Sequence, residues 1–338
     1  MARKYSTKKR MKKIEPAVQT ITLNMSNPMT PVAGQHKYFV DLSQIASLAN
    51  RRFYRQGINW AVAGITVYSS EPFSMNVSKL PNTWIMSNAW EKSFRHWTKM
   101  NNEALETTES VRPKFLDFKI YANSFHHTNG YGANQLPISS ENVKALAGEW
   151  ESSKLRIPDT TIVGNTRERE MIAVGASYPG NGASGLNAVS LIEGYAASRG
   201  LPNVLDPNAP DDAADADGIA PQNWMAALFN EGTEQSDEVL QDMITENNIA
   251  PYPFENDGVN VDTMYPGGAN QMTGLQIHDT AIVTPTTVGG TTRLKGGNFP
   301  CGLMEFNVSA AAAPTMQVQI DLIPGHHRGY LCEPMTEM

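Results

Sequence analysis

The stretch AVQTITLNM at residues 17–25 alternates apolar, β-branched positions with polar ones, and that period of two returns in short pieces along the chain. It recurs in KYFVDLS (37–43), INWAVAGITVYS (58–69), SMNVSKL (74–80), KFLDFKIYA (114–122), EMIAVGA (170–176), QIHDTAIVTPTT (276–287), GLMEFNVS (302–309) and MQVQIDLI (316–323), with a weaker instance in GEWESSKLRI (148–157). A strand with one apolar face must pair along its edges and bury that face, so a chain built of such pieces is committed to sheets. The 26 Gly and 21 Pro among 338 residues supply the turns, and a charged content of 18% is too low for a coiled coil or a helical bundle. Late strands far in sequence from their partners favour an antiparallel sandwich over an α/β sheet.

Three stretches break the pattern. Trp90, Phe94 and Trp97 stand at i, i+4, i+7 between Ile85 and Met100, which predicts an amphipathic helix lying on a sheet. A second helix is predicted over 186–199, stopped by Gly200 and Pro202. A third begins at Ser236, an N-cap followed by Asp237 and Glu238, and buries Val239, Leu240, Met243 and Ile244. The region of about 178–268 reads as an insertion between strands.

Charge is distributed unevenly. Arg3, Lys4, Lys8, Lys9, Arg10, Lys12 and Lys13 put 7 of the 27 basic residues in the first 13 positions, with no acid among them. The remaining 20 basic residues face all 34 acids, which leaves the body from Ile14 onward at −14. Such a block cannot bury itself, so residues 1–16 are expected to form a flexible arm whose partner is a polyanion. Seven phosphate contacts on a single strand would give a logarithmic salt slope of about −5. The KKRMKK cluster also has the composition of a nuclear import signal.

Enzymatic signatures are sparse. Gly180-Asn181-Gly182-Ala183-Ser184-Gly185 matches G-x-G-x-x-G, with Asp206 further on, but Ser177-Tyr178-Pro179 separates it from the preceding strand and Pro202 breaks the next one. Asp211, Asp212, Asp215 and Asp217 cluster before Gly218 without the EF-hand spacing, which reads as a solvated acidic loop. The pairs His126-His127 and His326-His327, with His36, His96 and His278, lack a metal-ligand spacing. If the pairs lie in strands, adjacent histidines point to opposite faces. Trp90, Phe94 and Trp97, like Trp60, Trp84 and Trp150, read as core rather than as a platform for bases. Cys301 and Cys332 give neither a disulfide framework nor a zinc site. With no apolar run near the ~18 residues of a membrane span, the chain is expected to be soluble and not secreted, with no cofactor and no catalytic residue.

Several phrases resemble the capsid proteins of small circular Rep-encoding single-stranded DNA viruses. They are NRRFYRQGINWAVAG (50–64), KLPNTW (79–84), NAWEK (88–92), YPGG (265–268), the segment from His278-Asp279-Thr280 to Gly289-Gly290, and the tail from Leu322-Ile323-Pro324-Gly325 to Arg328-Gly329. The resemblance implies an all-β fold: an antiparallel, eight-stranded jelly-roll sandwich over 17–338, carrying helical and loop insertions. It further implies an arm turned inward onto packaged single-stranded DNA, and many copies closing into an icosahedral shell. The expected location is the virion, with passage through the host nucleus.

Two alternatives stay open. One is a nucleotide-dependent enzyme using the Gly180–Gly185 turn. The other is a non-viral nucleic-acid-binding β-sandwich module.

Overall fold

The structure is a computed structural model and describes residues 16–106, 117–159, 162, 165–198, 225, 274–284 and 290–338. Its first four strands are β1 (Thr20–Met25), β2 (Gln35–Asp41), β3 (Ile58–Tyr68) and β4 (Phe73–Lys79). Four more follow near the C-terminus: β8 (Gln276–Val283), β9 (Thr291–Phe299), β10 (Leu303–Ser309) and β11 (Met316–Leu322). They form two antiparallel sheets. In the first, β1 pairs β11, β11 pairs β3 and β3 pairs β9, with the short β12 (Cys332–Pro334) extending the ladder along the start of β3. In the second the order is β2-β10-β4-β8.

The alternation in the sequence sets the packing. Ile21, Leu23 and Met25 of β1, and Met316, Val318, Ile320 and Leu322 of β11, turn to one face and meet Tyr38, Val40, Met304, Phe306 and Val308 from the other sheet in one core. Trp60, Tyr54 and Tyr330 knit one end of it, with ring centroids 5.4–5.9 Å apart. The chain crosses from β9 in one sheet to β10 in the other within Pro300–Gly302. Gly302 has φ +68 there, and a Cβ on it would stand 2.9 Å from Trp60, so the crossing needs glycine.

The helix α1 (Leu42–Asn50) follows β2 directly, where the spacing had predicted strand through Ser43. Asp41 ends the strand and caps the helix, its side chain accepting from the Ser43 and Gln44 amides.

Between β4 and β8 the described residues form a second unit outside the two sheets. It holds α2 (Trp84–Glu106), α3 (Ser124–Asn129), β5 (Leu155–Pro158), β6 (Thr166–Ile172), β7 (Ala188–Ser190) and α4 (Leu191–Ser198). β5 pairs β6 antiparallel and β6 pairs β7 in parallel. Its core gathers Ile85, Met86, Ala89, Phe118, Ile120 and Val189 and reaches Leu303 and Met335 of the surrounding chain.

This unit roofs the outer face of the second sheet, which is why β2 and β10 are buried on both faces. His126 stacks on Phe39 at 4.7 Å and 7°. Lys37 pairs with Glu305 at 2.6 Å, both nearly inaccessible, while Asn123 donates to the other Glu305 oxygen at 2.8 Å.

Two expectations need correction. Within 114–122, the described residues 117–122 form no strand; only Tyr121 makes an isolated parallel bridge, to Ile172. The helix predicted over 186–199 divides into β7 and α4, because Ala188–Ser190 find a free edge of β6. Asp206, the acidic cluster Asp211–Asp217, the helix from Ser236 and the YPGG phrase lie outside the described residues.

Candidate nucleic-acid interface

The arm residues Arg3, Lys4, Lys8, Lys9, Arg10, Lys12 and Lys13 lie outside the described residues, but the point where the arm joins the body does not. Arg52 donates to the Pro16 carbonyl at 3.2 Å, Asn50 accepts from the Val18 amide at 2.9 Å, and the Tyr330 hydroxyl donates to the Val18 carbonyl at 2.6 Å. The root of the arm is therefore fixed to the end of α1 and to the C-terminal segment.

Around this root stand arginines that the sequence reading left unassigned. Arg51 caps α1 in the left-handed conformation, with φ 52. Arg328 donates to the Phe53 carbonyl, and Tyr54 donates back to the Arg328 carbonyl at 2.9 Å, which brings the C-terminal turn onto the Arg51–Arg55 loop. Arg51, Arg52, Arg55, His326 and Arg328 are all exposed, and none of these arginines enters a salt bridge among the described residues. Three arginines within five residues were a visible signal.

The glycine-rich turn is committed to packing. It leads into β7 rather than directly into a helix, so the turn does not itself open onto a helix N-terminus. A Cβ on Gly182 would stand 2.3 Å from the His127 ring, and one on Gly130 would stand 2.6 Å from Ala183. The close approach that a dinucleotide fingerprint reserves for a pyrophosphate is taken here by an imidazole.

The first histidine pair sits on the short helix α3, not in a strand, and both rings are buried. His126 accepts from the Ala122 amide through Nδ1 at 3.1 Å, which leaves Nε2 to donate to Asn134 at 2.9 Å. Burial lowers its pKa to about 3, so the ring is neutral. His127 meets Glu170 at 2.8 Å. Burial pushes the Glu170 carboxyl up, but hydrogen bonds from His127, Ser152 and Ser184 outweigh it and hold the group below the usual carboxylate range. Ser152 and Ser184 bond the carboxylate rather than the imidazole, so neither is set up as a nucleophile by His127.

A second buried acid ties the two units together. Asp41 accepts from Gln56 Nε2 at 3.0 Å and Trp150 Nε1 at 3.1 Å in addition to its helix-capping bonds. Gln56 also bridges to the Ile120 carbonyl and the Tyr131 hydroxyl, both at 3.1 Å. Burial raises Asp41 from 3.8 to about 6 despite these donors.

The helix α2 turns its aromatic stripe inward. Trp90 stacks on Phe94 at 5.1 Å and 13°, and Phe118 closes against Trp90, Phe94 and Trp97. Among the described residues no group of three or more His, Cys, Asp or Glu side chains could hold a metal ion, and no helix is long and apolar enough to cross a membrane. Compared with protein families, curated proteins and solved structures, the chain matches none.

Proposed function

We propose that this protein is the coat subunit of a small single-stranded DNA virus, assembling with copies of itself into an icosahedral shell and packaging DNA through its basic arm. The observation that carries this reading is the strand order. β1-β11-β3-β9 facing β2-β10-β4-β8 is the arrangement expected of an eight-stranded jelly roll, in which each strand lies beside partners from the opposite end of the chain. That fold recurs in viral shells, and by itself it is an analogy. The charge pattern adds the chemistry. A body at −14 repels DNA, and a cluster of seven cations joined to it at Pro16 supplies attraction without reading sequence. Apolar side chains left open on the edge strand β8, Ile277 and Ile282, fit burial between subunits.

The test is electron microscopy of the purified full-length protein, with the 260/280 absorbance ratio taken before and after nuclease. Closed particles holding protected nucleic acid are the expected result. A small monodisperse species across salt and pH, with added single-stranded DNA, would overturn the reading. Deleting residues 2–13 should leave the fold intact and strip the nucleic acid.

A further inference from the structure

A pocket of about 330 Å³ opens between α2 and the C-terminal segment, lined by Arg55, Ile58, Trp90, Phe94, Phe118 and Pro334. Its volume lies in the range of sites for small ligands or single groups. One wall is aromatic and held rigid by the stacking of Trp90 on Phe94 and the edge of Phe118 on Trp90. Trp90 is only 6% exposed, and its Nε1 is buried without a hydrogen-bond partner.

Two carboxylates also line it, and both are engaged. Asp117 accepts from the Gln56 amide at 3.2 Å and pairs with Lys119 at 3.4 Å, and Glu333 accepts from Asn59 at 2.9 Å. His327 is part of the same lining, and its neighbour Arg328 is bonded to the Phe53 carbonyl. The pocket thus lies next to the exposed arginines at the root of the arm.

An apolar small molecule would leave those arginines idle, and a paired duplex cannot turn a base into a pocket. A single strand satisfies both halves, since its phosphates suit arginine and every base offers a face for stacking. We propose that this pocket is a subsite for one unstacked base of single-stranded DNA, with the adjoining phosphates carried by Arg51, Arg52, Arg55 and Arg328. The inference rests on the packaging reading and adds to it a second, structured contact beside the arm. Of the two carboxylates Glu333 is the exposed one, and beside its bond from Asn59 it can accept from an exocyclic amino group, which makes cytosine a suitable probe.

The experiment irradiates full-length protein bound to a deoxycytidine 12-mer carrying 5-iododeoxycytidine, and maps the labelled residue by mass spectrometry. Anisotropy of the fluorescein-labelled 12-mer then compares the protein with its Arg51→Gln/Arg55→Gln variant. The expected results are labelling at Trp90, Phe94 or Phe118, binding about tenfold weaker in the variant, and a salt slope shallower by about 1.4. Labelling confined to residues 1–16, or unchanged affinity in the variant, overturns the subsite and leaves packaging by the arm standing. No binding of the 12-mer by the unaltered protein would overturn both.

Discussion

Trp150 donates its indole Nε1 to Asp41 Oδ2 at 3.1 Å, and this bond fastens the unit between β4 and β8 to the strand that enters α1. The carboxylate also receives Gln56, Ser43 and the Gln44 amide. Replacing Asp41 with Ala removes a helix cap and leaves buried donors unmet, so we expect a loss of about 3–5 kcal/mol in urea denaturation. A loss under about 1 kcal/mol would mean that water or another acceptor takes over the site.

The same carboxylate and His126 set opposed pH dependences. Asp41 titrates near 6 in the fold against 3.8 unfolded, so its contribution is fully present below 3.8 and is lost as pH rises through about 6. His126 titrates near 3 against 6.5, so its contribution is present above 6.5 and is lost as pH falls toward about 3. Each pH unit of such a difference is worth about 1.4 kcal/mol. Between pH 6 and 4 the two partly cancel. Asp41→Asn should therefore lose stability more steeply than the unaltered protein on acidification, and His126→Gln less steeply, in urea midpoints taken at pH 7, 5.5 and 4.

Lys37 and Glu305 form a buried pair whose value depends on both members. Lys37→Met alone leaves Glu305 charged and uncompensated, at an expected cost of about 3–5 kcal/mol. Lys37→Met with Glu305→Gln keeps an acceptor for Asn123 and should recover most of that loss. If the double variant is no more stable than the single, the pair is not the unit of energy at this site.

At the glycine-rich turn, Gly182→Val should lower the melting temperature by forcing a side chain into the His127 ring, at roughly 1–3 kcal/mol. Adding a dinucleotide to the unaltered protein should leave its melting temperature unchanged. A rise would return the turn to the status of a cofactor site.

The sequence made legible those elements whose burial is one-sided. β1 and β11 alternate throughout, β3 and β4 over part of their length, and α2 shows its stripe, because a single apolar face leaves a periodic trace. β9 left none, since TTRLKGGNF buries only Leu294 and Phe299 and contains a glycine pair. Its edge is held instead by side chains of β8, with Asp279 accepting from the Lys295 amide and His278 meeting the Lys295 carbonyl. α1 was hidden because Asp41 serves strand and helix at once. The histidines were visible, but their helix was not: Asn123 caps it from a six-residue segment too short to carry a period. The arginines around Pro16 lay in plain view, and only the fold brings Arg328 to them.

No ladder in the two large sheets joins one of β1 to β4 to another of that group; each joins an early strand to one beginning at Gln276 or later. On a ribosome adding about 5–20 residues per second, the first four strands are made roughly 10–40 s before the earliest of their partners. During that interval their edges are open templates for neighbouring chains on the same message. The local pairings of β5, β6 and β7 need no late strand, but the core beneath them is completed only by Leu303 and Met335. Birth of the sandwich is then a late, nearly simultaneous event, and the basic arm is anchored at its root only after the last strands have emerged.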